Sequence, residues 1–389
     1  MLGILAINIA GFAGPPVAVL SPNLPYPGTE ADQWAFAIKF LFFEGKMRAL
    51  FSLLFGASLV LLIERADAAG KFGELLQLRR LCWLALFGLA HFYLFWWGDI
   101  LFLYAISGLV ALLLRELGNR TLILAALSIF TLWHAAGVVM SYPDVVLEDR
   151  VLHGTASEDD NRSYTAFRAI LQRQAEQDIS DVSGGFVSQM SIRLGEDTFT
   201  PLLMLMTTMG ETLPLVMIGM ALMRTGFFSG EWSRRRLASV GCLGTMTGLA
   251  LTGAMLAWTW PRGFPPRAME AAYLYAGALP HLIAATGYAA LLVLAAPALA
   301  RIALGRWLTA TGKMAFTNYL ATTVVMTAIF YGWGLGWIGR FGHAWQWAFV
   351  ALGWSLMMLF SVRWLAHFRR GPLEWAWRSL VEQKKLSNR

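Results

Sequence analysis

The sequence places three charged side chains directly before an apolar stretch: Glu44, Lys46 and Arg48. Glu44 and Arg48 are four residues apart, so on a helix they would lie one turn apart and could form an ion pair. Charged groups at the edge of a membrane span are costly and often functional. Held by helices, the three charges could also bind an anionic or polar substrate. Pairing and substrate binding both stay open for this cluster.

A second group of reactive side chains surrounds a histidine within an apolar run. His91 is followed by Trp97, Asp99 and Tyr104. A histidine inside a span either satisfies a core hydrogen bond or serves as a general base, because imidazole titrates near neutrality. Asp99 could simply cap the helix that follows it. Alternatively, Asp99 or Glu44 could orient the imidazole, as a carboxylate does for a catalytic base.

Polar residues recur in two later apolar runs. Asn318, Tyr319 and Thr322 are close enough on one helix to form a polar seam, which could bind substrate or join membrane helices. Glu211 precedes Pro214 within a span, where a carboxylate and a freed carbonyl could bind a cation or a proton. No phosphate loop, nucleophile elbow or metal-ligand spacing occurs in a suitable context, so no metal is predicted.

The elements that must hold these groups are membrane helices. The chain has 389 residues, of which 57% are hydrophobic and only 14% charged, against about a quarter charged in soluble domains. Soluble, disordered and collagen-like proteins are therefore excluded, and an all-α, polytopic transmembrane bundle is predicted. At about 20 apolar residues per helix, ten spans are expected, at residues 2–20, 47–63, 81–96, 100–114, 121–140, 200–223, 237–258, 271–298, 314–338 and 345–367.

The distribution of basic residues predicts the orientation of the bundle. With both termini inside, 20 of the 31 Lys and Arg residues fall in inner segments, as the positive-inside rule requires. The net charge of +7 therefore reports orientation and gives no support for nucleic-acid binding. We divide the chain into residues 1–140 with five spans, an extracytoplasmic insert at 141–197, residues 198–368 with five spans, and a basic cytoplasmic tail at 369–389.

The segments outside the spans carry further predictions. The insert is acidic, and residues 164–179 have helical spacing that should end at Ser183-Gly184-Gly185. Residues 21–43 begin with turn-forming prolines and become amphipathic, which predicts a surface or re-entrant helix. Cys82 and Cys242 lie in apolar runs without a metal-binding or disulfide pattern, so both are expected to be buried thiols.

Motifs along the whole chain resemble the YeiB-like family of bacterial multi-pass membrane proteins, a family of unknown function. The matching segments are residues 2–9, 43–56, 88–104, 218–220, 312–320 and 371–378. The family is similar to the transmembrane acyltransferase superfamily, which includes heparan-glucosaminide acetyltransferase and OafA-like sugar O-acyltransferases. Members usually carry an Asp and an Arg-Gly pair before the first span. We expect either a truncated start or the absence of these groups here.

The resemblance implies acyl transfer in the bacterial cytoplasmic membrane. Acyl-CoA, such as acetyl-CoA, would approach from the cytoplasm, and the acceptor would be a hydroxyl or amine on a sugar, a lipid-linked molecule or a small molecule outside. His91 would be the general base, with Asp99 or Glu44 orienting it. The residues expected to bind substrate or stabilise anionic charge are Lys46, Arg48, Trp97, Tyr104, Asn318 and Tyr319.

Two other functions are compatible with the sequence. A transporter or exporter of a small amphiphilic or anionic solute would need a midplane cavity and broken helices rather than covalent chemistry. A scaffold or sensor would use the acidic insert to bind a partner. The lipid bilayer is a partner in every case, and a homo-oligomer is compatible with all three.

Overall fold

The computed structural model describes residues 1–389 and consists of helices and their connections, without a β-strand. The helices are α1 Leu2–Ala13, α2 Glu30–Phe42, α3 Lys46–Ala68, α4 Gly73–Leu94, α5 Leu101–Leu113, α6 Asn119–Leu152, α7 Glu158–Ser183, α8 Phe186–Gly195, α9 Thr200–Arg224, α10 Arg234–Thr259, α11 Pro266–Ala271, α12 Ala278–Leu299, α13 Ala303–Lys313, α14 Ala315–Phe330, α15 His343–Leu365 and α16 Pro372–Val381.

The helices form the polytopic bundle that the hydropathy pattern predicts. Six segments are long and apolar enough to cross a membrane, and α1, α5 and α14 are shorter apolar helices. Each of the ten predicted spans contains a helix, although several ends differ. The first predicted span ends early, at Ala13, because Gly14, Pro15 and Pro16 follow. The ninth ends at Phe330 instead of residue 338, because the glycine-rich segment after it forms turns.

Two glycines bring α3 and α9 into direct backbone contact. A Cβ atom on Gly56 would lie 2.0 Å from the carbonyl oxygen of Val216, and one on Gly219 would lie 2.1 Å from that of Leu53. Small residues at helix crossings permit this close approach in membranes. The packing fixes the position of the middle of α3 against the C-terminal half of α9.

The acidic insert is helical and docks on one end of the bundle, which we call the insert face. The α7 helix begins with a capping box between Ser157 and Asp160 and ends at Ser183, as predicted. The α6 helix continues past the predicted start of the insert at residue 141, through Pro143 to Leu152. At the other end of the insert, the Arg193 guanidinium donates to backbone carbonyls at the end of α4.

The C-terminal tail is a folded part of the protein. Glu374 of α16 accepts hydrogen bonds from the backbone N–H of Thr317 at 2.9 Å and from its hydroxyl at 2.5 Å, so it caps the start of α14. Trp377 donates to the backbone carbonyl of Arg80 on α4. The tail therefore fastens two helices that carry predicted site residues.

The prediction of two buried cysteines is wrong. Cys82 on α4 and Cys242 on α10 are both free and exposed on the protein surface. They occupy helix faces that no other helix covers, and in a spanning helix such faces contact lipid. An apolar run alone does not tell which face of a membrane helix is covered by protein, because lipid is as apolar as a protein core.

Candidate functional site

The turn between α4 and α5 brings His91 and Asp99 together. His91 Nδ1 lies 2.7 Å from Asp99 Oδ1. Both residues are buried, with His91 2% and Asp99 7% exposed. Asp99 Oδ2 accepts the backbone N–H of Phe102 at 2.9 Å. Asp99 thus caps the start of α5 and orients the imidazole at the same time, so both interpretations of this residue hold in one geometry.

The second ring nitrogen of His91 has no hydrogen-bond partner in the protein. With an ionised Asp99 and a neutral His91, Nδ1 would carry the proton towards Asp99 and Nε2 would hold a lone pair. The Tyr319 ring lies 5.2 Å from the imidazole, and the Tyr319 hydroxyl accepts the backbone N–H of Ile100 at 3.3 Å. His91 therefore lies in a buried, largely aromatic environment, with one ring nitrogen at a carboxylate and the other without a partner.

A second buried cluster forms around Arg48. Arg48 Nε lies 3.2 Å from Glu211 Oε1, and Nη2 lies 3.4 Å from Oε2, so the pair is bidentate. The predicted partner Glu44 is more distant, at 3.9 Å from Nη1. The guanidinium also lies over the Tyr273 ring, 5.1 Å from its centroid. A guanidinium held by two carboxylates and an aromatic ring is stabilised within the bundle.

The chain changes direction between α2 and α3 at the residue before Lys46. Gly45 has a φ of +66°, in the region that favours glycine. Lys46 is fully buried, and its ammonium donates to the carbonyl oxygens of Phe40 at 3.1 Å and Glu44 at 3.4 Å. Neither carbonyl accepts an i+4 backbone N–H at the break, and the Glu44 carbonyl also accepts the backbone N–H of Lys46 at 2.7 Å. The Lys46 side chain therefore joins the end of α2 to the start of α3 across the break.

Replacing Gly45 by Ala is expected to lower the stability of the protein by about 1–3 kcal/mol. The new Cβ would lie 1.9 Å from Nδ1 of buried His281, and alanine disfavours the positive φ. The midpoint of thermal unfolding in detergent measures the loss. Gly312→Ala in α13 is the matched control, because its Cβ would meet nothing within 4 Å. Equal midpoints for the two variants would contradict this role of Gly45.

Comparison with known proteins decides the family. The chain is 34% identical over 384 residues to the Escherichia coli protein named "Uncharacterized protein YeiB", covering 98% of this chain and 93% of the relative. It is 29% identical to the Bacillus subtilis "Uncharacterized protein YxaH", with coverage of 97% and 90%. Residues 222–384 also match the family described as "Protein of unknown function (DUF418)". The chain belongs to the YeiB-like family. No solved structure matches it.

In this YeiB-like protein the predicted site residues divide between two clusters. Tyr319 lies with the His91–Asp99 pair, whereas Glu44 lies with Lys46 and Arg48 and makes no contact with His91. Between the clusters, the Tyr104 hydroxyl lies 2.7 Å from Ser52 Oγ. Asp99, and not Glu44, is the carboxylate that orients the histidine.

Two other predicted residues lie apart from the histidine. Asn318 donates to the Thr311 carbonyl at 3.1 Å and to Ser361 Oγ at 2.9 Å, so its amide joins α14 to α13 and α15. These contacts are of the kind that joins membrane helices, which is one of the two interpretations that the sequence leaves open for Asn318. Trp97 lines a cavity at the insert face and lies beside Trp96, with ring centroids 5.6 Å apart.

Sequence reasoning missed several members of the Arg48 cluster. In the sequence Glu211 is a lone carboxylate beside Pro214, and nothing there indicates its pairing with Arg48. Tyr273 gave no signal, because tyrosine is common near membrane interfaces. His281 is 1% exposed and neither ring nitrogen has a partner. The sequence shows His281 as a lone ionisable residue inside an apolar run, but a lone residue does not indicate which groups lie beside it.

Cavities lie between α1 and α14 and at both ends of the bundle. One of about 10 Å³ between α1 and α14 is lined in part by Asn8 and Tyr319, and has room for about one water molecule. One of about 200 Å³ lies at the insert face. A third, of about 150 Å³, opens at the opposite end between Glu64, Asp67, Arg115 and Arg224. No three His, Cys, Asp or Glu side chains are grouped so as to hold a metal ion.

Proposed function

We propose that this membrane protein is an acyltransferase that moves an acyl group, such as acetyl, from acyl-CoA to a hydroxyl or amine of an extracytoplasmic or lipid-linked acceptor. One observation carries the proposal: buried His91 is oriented by Asp99 at 2.7 Å and presents an unpartnered Nε2. A histidine held in this way is prepared to remove a proton from an acceptor. The resemblance to membrane acyltransferases supports the choice of reaction.

In the proposed reaction, Nε2 of His91 takes the proton from the acceptor as its oxygen or nitrogen attacks the thioester carbonyl. Collapse of the tetrahedral intermediate breaks the carbon–sulfur bond, and the imidazolium returns the proton to the leaving CoA sulfur. Asp99 stabilises the imidazolium between the two steps. Tyr319 accepts a hydrogen bond from the backbone of Ile100, so its own O–H is free to donate to the developing oxyanion.

The Arg48 cluster has a supporting role in this proposal. The Arg48 guanidinium is engaged by Glu211 and the Lys46 ammonium by two carbonyls. Both side chains therefore already have partners within the protein. Instead, Lys46 and Arg48 hold the start of α3 in the bundle. The Tyr104 hydroxyl contacts Ser52 of α3, and this contact connects α5 to α3. The substrate-binding role is thereby proposed for Trp97 and Tyr319.

Acyl transfer is tested with purified protein in proteoliposomes that contain acetyl-CoA labelled in its acetyl group. Extracts of bacterial envelope lipids and polysaccharides serve as acceptors, and the label is followed into the acceptor fraction. We expect transfer that needs both acyl-CoA and the protein. If the protein neither binds acyl-CoA nor labels any acceptor, the proposal is wrong.

The proposal also places both termini in the cytoplasm and the insert outside. This orientation follows from the excess of basic residues in the inner segments and from the cytoplasmic location of acyl-CoA. Fusions of a reporter that is active only outside the cytoplasm, placed after Ser183 and after Arg389, test this orientation. We expect activity from the first fusion alone. The reverse pattern would overturn the assigned orientation.

A transporter of a small amphiphilic or anionic solute is the second candidate function. The break between α2 and α3 next to buried ionisable groups favours it, because discontinuous helices bind substrates and ions in transporters. Counterflow of solute in vesicles, without chemical conversion, would identify a transporter. Transfer of the acyl label without counterflow would identify the enzyme.

A further inference from the structure

We propose that α13 lies in the plane of the membrane surface and binds the phosphate groups of anionic phospholipids. The helix follows α12, which is long and apolar enough to cross a membrane, and precedes α14. In α11, which leads into α12, the backbone N–H of Ala268 donates to Glu148 of the insert at 2.9 Å, so α12 begins at the insert face. The α13 helix therefore lies at the opposite end of the bundle. The inference does not depend on acyl transfer.

Short connections hold α13 at the edge of the bilayer. Residues 300–302 join it to α12, and Met314 alone joins it to α14. A Cβ atom on Gly305 would lie 1.8 Å from the carbonyl oxygen of Leu299, so the backbone of α13 contacts the end of α12 directly. The helix has 11 residues and, at about 1.5 Å per residue, is too short to cross a membrane. It therefore lies beside the ends of two apolar helices, at the depth of the lipid headgroups.

Large apolar side chains of this segment are not covered by the protein. Leu304 is 54% exposed and Trp307 is 40% exposed, and Ile302, just before the helix, is 49% exposed. Contact with water is unfavourable for these side chains, whereas a helix at a membrane surface buries them among the acyl chains. Tryptophan is enriched at this depth, because its ring is apolar and its N–H can reach water. The exposed apolar side chains thus favour contact with lipid.

Basic side chains in the same segment have no acidic partner. Arg301, Arg306 and Lys313 are exposed, and residues 271–373 contain no Asp or Glu. No carboxylate from elsewhere in the chain forms a salt bridge with any of the three. Arg306 donates one N–H to the Arg301 carbonyl at 3.2 Å, which leaves the rest of its guanidinium free. Arg306 and Lys313 are seven residues apart, so they lie on one side of α13, about 10 Å apart along its axis.

The residues around α13 add to the positive charge. The α15 helix packs beside α13 and carries exposed Arg363 in its last turn, and exposed Arg369 follows it. The two acidic residues of the tail are already engaged, because Glu374 caps α14 and Glu382 pairs with basic side chains. This end of the bundle therefore keeps a net positive charge beside exposed apolar side chains.

An anionic phospholipid matches both properties of this surface. Its phosphate can reach Arg306 and Lys313 while its acyl chains cover Leu304 and Trp307. A soluble phosphate would pair with the basic side chains but leave the apolar ones in water. A second copy of this chain would bring like charges together without a carboxylate to pair with them. The lipid is therefore the occupant that the surface favours.

Native mass spectrometry tests the proposal with the purified full-length protein in a neutral detergent. Titration with dioleoylphosphatidylglycerol and with dioleoylphosphatidylcholine gives a dissociation constant for each lipid. We expect the anionic lipid to bind at least about fivefold more tightly. The double variant Arg306→Gln/Lys313→Gln should bind it about tenfold more weakly and should bind phosphatidylcholine as before. Glycerol 3-phosphate should not displace the lipid, because it has no acyl chains.

Matched variants separate the loss of charge from a change in packing. Arg306→Lys/Lys313→Arg keeps both charges and should bind phosphatidylglycerol as the unmodified protein does. Arg162→Gln/Arg173→Gln removes two exposed charges from α7 of the insert and should not change binding. Circular dichroism checks that each variant is folded.

Phosphatidylglycerol with a photoactivatable group on its headgroup locates the site in the unmodified protein, so this result does not depend on the folding of a variant. We expect cross-links to peptides that contain residues 300–314. The proposal is overturned if α13 is not cross-linked, if phosphatidylcholine binds equally tightly, or if glycerol 3-phosphate displaces the lipid. It is also overturned if the glutamine double variant binds phosphatidylglycerol as the unmodified protein does, or if the charge-conserving variant loses as much binding as the glutamine variant.

Discussion

Replacing His91 by Gln is expected to lower acyl transfer by about 10²- to 10⁴-fold. Glutamine keeps a polar group in the buried position but cannot accept and return a proton at neutral pH. Initial rates of label transfer in proteoliposomes measure the loss. Binding of acyl-CoA should persist, because the proposed role of His91 is in the proton transfer rather than in holding the donor.

Two variants make this result specific. Asp99→Asn keeps the shape of the side chain but removes the charge that stabilises the imidazolium, so transfer should fall while acyl-CoA still binds. His367→Gln is the matched control, because His367 is exposed and bonds only to the Arg363 carbonyl. Unchanged transfer by His91→Gln would remove histidine catalysis from the proposal, even if the protein still proved to be an acyltransferase.

Replacing Arg48 by Met is expected to destabilise the protein by about 3–5 kcal/mol. The substitution leaves Glu211, which is 9% exposed, without its bidentate partner inside the bundle. Unfolding in mixed micelles, followed by tryptophan fluorescence, measures the change. Glu211→Gln should also destabilise the protein, because it leaves the Arg48 charge with only the more distant Glu44.

The double variant Arg48→Met/Glu211→Leu separates the ion pair from the packing around it. It should be more stable than either single variant, since no unpaired charge remains in the bundle. Arg162→Met is the surface control: its pair with Asp159 is exposed on the insert, so no measurable change is expected. If the double variant loses as much stability as the two single variants together, the pair is not the source of the effect.

The His91–Asp99 pair was within reach of sequence analysis because it is local. The two residues are eight positions apart on either side of a tight turn, and the expected hairpin between α4 and α5 brings them together. Sequence analysis left Asp99 and Glu44 as equal candidates for orienting the histidine. Only the direction of the turn decides between them, and it selects Asp99.

The Arg48–Glu211 pair was beyond sequence analysis because 163 positions separate its members. The i,i+4 spacing favoured Glu44 as the partner of Arg48, and that contact is present but longer. The shorter contact exists because Gly56 and Gly219 let α3 and α9 approach closely. The sequence shows that a membrane helix is apolar, but it does not show which helix packs beside it.

By itself, the sequence determined the class of protein, its helices and the residues whose burial in a membrane calls for explanation. These follow from hydropathy and turn chemistry, which act over a few residues. The tertiary structure decided the partners of Glu44, Arg48 and Glu211 and the assembly of the insert-face cavity. Charges and cavities of this kind depend on contacts between distant segments, and many helix arrangements satisfy the same apolar pattern equally well.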